Sequence, residues 1–284
     1  MPRTATKQSI LERTLIPLPL NRDKLSMATI VEREKLRHDM VLPDAVEDRF
    51  RRIECEYAAR ARLAVHNLHY RQKILLYGVP GCGKTLGAER LAWNTGLTLV
   101  KVQFDSILSS FLGDTAKNLR KVFDEISETP CVLFFDECDS ILRTREDNKD
   151  VGEVKRIVNT FLQVLDEYNP DNGLIVMATN LTKSLDSAVW RRFDDVIELP
   201  KPSKREVQLL LVHTLQVSFP KTTQTEELDW DILLPEMDGF SAAQVVKVAQ
   251  NAAKTAILQH QLKTVTQPLL MGAIQEIKEM PSYK

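Results

Sequence analysis

The chain's 284 residues predict an α/β fold. A parallel five-stranded sheet lies between helices and is followed by a small all-helical unit. Three observations predict it. Between about residues 73 and 200, short continuous apolar runs alternate with stretches of helical periodicity, as expected when strands are buried on both faces by their own crossover helices. The last 80 or so residues show helix-start patterns and no further strand-like run. The length is enough for one sizeable core and one or two smaller units.

In chain order, residues 1–42 read as an irregular N-terminal segment, partly ordered and a candidate for partner binding. Pro17 and Pro19 break any helix there, whereas the charged stretch 26–40 reads as a short helix. A helix is expected over 43–66, with Pro43 in its first turn and Val46, Phe50, Ile53, Tyr57 and Ala61 forming one apolar stripe. The α/β unit, 43–200, takes its strands from the runs 74–77, 97–103, 132–135, 174–178 and 196–199. Two helical patterns lie between them, one with Leu119, Val122, Phe123 and Ile126, the other with Val154, Ile157, Phe161 and Leu165. In the helical unit, 201–284, Ser203 with Glu206 and Ser241 with Gln244 are capping-box patterns, and Thr266 before Pro268 marks a third helix start.

Composition excludes some classes of function. Hydrophobic residues make up 43% and charged residues 27% of the chain, with net charge −1. A basic excess of the kind that marks general nucleic-acid binding is absent. No apolar stretch approaches the ~20 residues needed to cross a bilayer, and Met1-Pro2-Arg3-Thr4 leads into no apolar run of a signal peptide. Cys55, Cys82, Cys131 and Cys138 lack metal-ligand spacing and point to a reducing, cytoplasmic setting.

Gly78-Val79-Pro80-Gly81-Cys82-Gly83-Lys84-Thr85-Leu86 carries the pattern of a phosphate-binding loop between a strand and a helix. Its glycines let the backbone turn sharply and aim N–H groups at phosphate oxygens, and the following helix adds the positive end of its dipole. Lys84 is expected to reach the β- and γ-phosphates, and Thr85 to offer its hydroxyl to Mg²⁺. At 52 residues beyond Lys84, the apolar run 132–135 ends in Asp136-Glu137, where open α/β sheets bind ligands. Asp136 is the expected Mg²⁺ partner. Glu137 is the expected general base for the attacking water.

These two signatures resemble the AAA family of AAA+ ATPases over roughly residues 43–280. The resemblance implies ATP as the nucleotide, Mg²⁺ as the metal and a ring, expected to be a hexamer, that remodels or unfolds protein. It implies further roles. Asn180, in Ala178-Thr179-Asn180, matches the sensor near the γ-phosphate, although an Asn at a strand end also fits a turn. Arg191 and Arg192, in Trp190-Arg191-Arg192-Phe193-Asp194, match the arginine-finger segment without the Pro-Gly insert of many members; two adjacent arginines also fit a surface ion pair. Phe111, Leu112 and Gly113 resemble the pore loop that grips an extended polypeptide, and also fit an ordinary core contact. Residues 143–150 take the place of a second pore loop. Asp238-Gly239-Phe240-Ser241-Ala242-Ala243-Gln244 resembles the start of the lid helix, with alanine where many AAA+ branches carry a sensor arginine.

Two residues depart from the family pattern. Cys82 stands where threonine is usual, implying sensitivity to thiol modification, and Cys138 stands where an aliphatic residue is usual. A narrower resemblance, carried by Leu42-Pro43, the 46–68 helix, Glu153-Val154-Lys155-Arg156 and the 190–197 segment, is to small bacterial AAA ATPases often encoded beside a subtilisin-like serine protease, some such pairs acting in phage defence or plasmid maintenance. The chain itself has no protease motif. A nucleotide-dependent adaptor or switch stays open as an alternative. So does a nucleic-acid motor or loader, against which the near-neutral charge argues.

Overall fold

In a computed structural model, residues 28–102, 120, 123, 130–139, 151–167, 173–181, 187–219, 228–258 and 264–280 are described, with backbone alone at 151–158 and 187–188. The strands are β1 Ala28–Val31, β2 Lys73–Tyr77, β3 Thr98–Val102, β4 Cys131–Phe135, β5 Gly173–Thr179 and β6 Asp195–Glu198. They form one sheet in the order β1-β3-β4-β5-β2-β6. All neighbours run parallel except β1, which lies antiparallel on β3.

The period of two along each strand sorts its side chains between two cores. On one face Leu75, Val100, Leu133, Phe135, Ile175 and Met177 pack with Phe161 and Leu165 of α4 (Val151–Glu167) and with Val189 of α5 (Ser187–Trp190). On the other, Ile74, Leu76, Leu99, Val132, Phe134 and Val176 meet Phe50, Ile53 and Tyr57 of α1 (Asp44–Ala58) and Ala88, Leu91 and Ala92 of α3 (Lys84–Thr95). Every residue of β4 and β5 is buried, which is why these strands read as unbroken apolar runs.

The N-terminal segment departs from expectation. No α-helix forms over the described part of 26–40. Ala28–Val31, rich in β-branched residues, becomes a sixth strand with Ala28 opposite Val102 and Val31 opposite Leu99. A single 3-10 turn follows at Arg33–Lys35. Side chains then hold the chain on α3. Arg37 makes paired hydrogen bonds of 2.9 and 3.0 Å to Glu89, and the His38 ring stacks on Trp93 with centroids 4.3 Å apart. The helix expected over 43–66 breaks at Ala59, where ψ turns to 5°, giving α1 and α2 (Arg60–Val65). The buried stripe therefore stops at Tyr57, and Ala61 is exposed.

The C-terminal helices α6 (Lys204–Ser218), α7 (Trp230–Glu236), α8 (Ala242–Leu258) and α9 (Gln267–Glu279) enclose a third core around Leu211, Leu215, Val245, Ala249, Ile274 and Ile277. The capping box at Ser203 and Glu206 forms as read. Ser241 and Gln244 exchange the equivalent bonds at 2.6 and 3.4 Å, and Thr266 takes the N-cap position of α9 ahead of Pro268 without a side-chain cap bond. The sequence reading missed α7. Its start is capped by Asp229, which accepts from the Asp231 and Ile232 N–H groups, but Pro235 inside it reads as a breaker.

Candidate nucleotide-binding site

Three parallel strands deliver their carboxyl ends to one edge of the sheet. The 78–83 loop leaves β2, Asp136 and Glu137 leave β4, and Asn180 leaves β5, which lies between the other two. Beyond them a cleft of about 800 Å³ opens between the sheet and the C-terminal helices. It is lined by Pro80 to Leu86, Asp136, Glu137 and Asn180, by Arg37 and residues 39–41, by Leu210, and by one face of α8 from Ala242 to Lys254.

The loop needs its glycines for two different reasons. Gly78 has φ +144°, and a Cβ there would lie 2.3 Å from the Leu199 carbonyl oxygen. Gly81 has φ +78°, and a Cβ would come within 2.8 Å of Ser241 Oγ and 3.2 Å of Ala243 Cβ. The second glycine thus lets α8 sit directly on the loop, where the Ala243 N–H donates to the Gly81 carbonyl at 2.9 Å. Gly83, at φ +93°, begins α3. Lys84 is 9% exposed, and its ammonium turns back to donate to the carbonyls of Gly78 (2.7 Å) and Val79 (3.1 Å). Burial lowers its pKa, opposed by weaker pulls from Cys82, Asp136 and Asp139.

Asp136 is the hub of the opposite wall. Its Oδ2 accepts from the Thr85 hydroxyl at 3.0 Å and from the Lys101 ammonium at 3.0 Å; its Oδ1 accepts from the Glu137 N–H at 3.1 Å. A hydroxyl and a carboxylate brought together in this way are the hard oxygen donors that suit Mg²⁺, which binds few protein ligands and completes its shell with phosphate and water. Glu137 sits at φ +54°, a region sparsely used outside glycine. It is exposed to the cleft.

Asn180 is held from behind by Asp139. The carboxylate accepts from Thr179 Oγ1 (2.6 Å), from the Asn180 N–H (2.8 Å) and from Asn180 Nδ2 (3.1 Å). Burial alone would raise the Asp139 pKa, but those donors and the Lys84 charge outweigh it and bring the value below the ordinary carboxylate range.

The structure thus brings together Pro80, Gly81, Cys82, Gly83, Lys84, Thr85, Leu86, Asp136, Glu137 and Asn180 around the cleft, whereas Gly78 and Val79 do not line it. Arg191 and Arg192 stand apart. They follow α5 and do not line the cleft. Arg191 is exposed, and Arg192 makes an ion pair with Asp166 at 2.9 Å. Phe111, Leu112, Gly113 and residues 143–150 lie outside the described residues. The thiol sensitivity expected of Cys82 is not supported. The side chain is 5% exposed, and burial pushes its pKa up, away from the reactive thiolate.

Sequence reasoning missed Lys101, Asp139 and the 37–41 wall. The signals for the first two were present: a lysine inside the apolar run 97–103, and a third acidic residue in Asp136-Glu137-Cys138-Asp139.

Comparison with known proteins bears on the family. Residues 74–201 match the family described as ATPase family associated with various cellular activities (AAA). The chain is also 37% identical over 251 residues to a protein of Sinorhizobium fredii (strain NBRC 101917 / NGR234) described as an uncharacterized AAA family ATPase, y4kL. That match covers 86% of this chain and 72% of the relative.

Proposed function

The chain belongs to the AAA family of ATPases, and from that premise we propose that it hydrolyses ATP with Mg²⁺ and works as a ring, a hexamer, that remodels or unfolds protein. The observation that carries the hydrolytic part is the convergence of Lys84, Asp136, Glu137 and Asn180 on one cleft closed by α8. ATP lies with its phosphates over the 78–85 backbone. The Lys84 ammonium exchanges its carbonyl partners for β- and γ-phosphate oxygens. Thr85 and Asp136 would hold Mg²⁺, which supplies charge neutralisation at the phosphates. Glu137 accepts a proton from the water that attacks the γ-phosphorus, the bond to the β–γ bridging oxygen breaks, and ADP and phosphate leave. Asn180, fixed by Asp139, orients the water or the γ-phosphate.

The ring rests on the resemblance and on the position of the arginines. Arg191 and Arg192 do not line their own cleft, and in this reading they serve a neighbour's nucleotide. In the same reading Phe111, Leu112 and Gly113 pull a polypeptide through the central channel, and the product is passed to or controlled with a separate serine protease. The reading places the protein in the cytoplasm. Its support is four unpaired cysteines and, among the described residues, no helix long and apolar enough to cross a membrane.

Glu137→Gln tests the chemistry. The variant should retain ATP and lose at least about 100-fold in turnover; undiminished hydrolysis removes Glu137 as base. The same variant, purified with ATP, should carry its protein substrate or protease partner. If a partner's response is instead locked on in Glu137→Gln, a nucleotide switch replaces the motor. Phe111→Ala should hydrolyse ATP but stop processing substrate, and unchanged processing removes the threading step.

A further inference from the structure

We propose that Lys101 is a built-in counter-ion for Asp136 that competes with magnesium for that carboxylate and so sets the metal concentration at which the site closes around nucleotide. This rests on the Mg²⁺-ATP reading above and concerns its regulation.

Lys101 is out of place for a strand residue. It lies between the buried Val100 and Val102 and opposite Phe134 in the β3–β4 register. The alternation of the strand puts it on the same face as Leu99, the face packed by α3. An apolar side chain is expected there. Instead the ammonium stands 5.7 Å from the centroid of the Phe134 ring and donates to Asp136 Oδ2 at 3.0 Å. That oxygen already takes the Thr85 hydroxyl, and the other takes the Glu137 N–H. Three donors thus occupy most of the carboxylate's roughly four acceptor positions, and the one that Lys101 holds on Oδ2 is among those a metal or its bound water would use. Lys84 feels the Asp136 charge, but its ammonium donates to the loop carbonyls rather than to that carboxylate.

Lys101 keeps 38% of its side-chain surface exposed against 21% for Asp136. A flexible four-carbon stem with that exposure can swing the charge into water when a divalent cation displaces it. Removing the competing charge should therefore lower the magnesium requirement by an amount typical of a part-exposed ion pair, roughly three- to fivefold.

The test is a magnesium titration of the full-length protein with a fluorescent, non-hydrolysable ATP analogue, followed by binding alone. In Lys101→Met the magnesium concentration for half-maximal binding should fall roughly three- to fivefold, with Lys101→Arg close to the parent and analogue affinity in EDTA unchanged. An unchanged magnesium midpoint in Lys101→Met overturns the proposal. So does weaker analogue binding in EDTA, which would make Lys101 a phosphate ligand. Should the methionine variant lose its cooperative thermal transition, Lys101→Gln, which keeps a donor to Asp136 without the charge, carries the same comparison. Absence of magnesium-dependent binding in the parent protein would instead remove the nucleotide reading itself.

Discussion

Asp139 shows how much a residue that never reaches substrate can decide. One carboxylate takes the Thr179 hydroxyl and two Asn180 donors, so the orientation of Asn180 at the cleft depends on it. Asp139→Ala should leave nucleotide affinity within about twofold and lower kcat by roughly 10- to 100-fold, the scale of a small misplacement near the chemistry. An equal loss in affinity would mean that the side chain supports the whole wall of the cleft. The same carboxylate contributes to the pH response. The pKa of Asp139 is depressed in the folded chain, where its hydrogen-bond donors and Lys84 outweigh burial, and that of Glu47 is depressed chiefly by its hydrogen bond from Arg90. A depressed carboxylate stabilises the fold above its unfolded value and loses that contribution as pH falls through the folded value. Thermal stability should thus hold between pH 7 and about pH 5 and decline below it. The decline should be shallower in Asp139→Asn and Glu47→Gln, and a pH profile identical to the parent in both variants contradicts the assignment.

At the scale of the element, the decisive contact is α8 on the phosphate loop. Gly81→Ala inserts a methyl group 2.8 Å from Ser241 Oγ at a backbone angle that costs alanine about 1–2 kcal/mol. Nucleotide binding should weaken roughly tenfold as α8 is pushed off the loop, while the unfolding of the sheet, followed by hydrogen exchange in β4 and β5, stays as in the parent. Equal loss of protection throughout the sheet would show that the two layers fold as one unit. The strands that position this site could be read from sequence because burial on both faces leaves only apolar residues at 74–76, 132–135 and 174–178. The loop and the acidic pair could be read because their spacing along the chain is fixed by the strands they terminate. β1 could not, since this four-residue edge strand found its register on β3, some 70 positions away, and charge at 32–37 hid a segment held by side chains on α3. Lys101 was hidden for the converse reason: one charge inside an apolar run is absorbed into the strand pattern, and its partner is supplied only by pairing with β4.

For the whole molecule the question is where the arginines act. In the proposed ring, Arg191 and Arg192 reach a neighbour's nucleotide, and the geometry of one chain agrees in that neither lines its own cleft. Two inactive variants can decide this together. Lys84→Ala removes nucleotide retention but keeps both arginines; Arg191→Ala with Arg192→Ala keeps the loop and the carboxylates but removes the finger. Each alone should be nearly inactive, since a finger contributes about 10³–10⁵ in rate in related chemistry. Mixed in equal amounts and allowed to exchange subunits, they should regain activity. A site works only where an arginine-less subunit, present half the time, is followed by a loop-less neighbour, also half the time, so about one quarter of the parent rate is expected for a closed ring of like interfaces. Recovery near that level places the arginines across the interface. No recovery despite demonstrated co-assembly shows that the arginines do not act across the interface, and the ring is then not needed for hydrolysis.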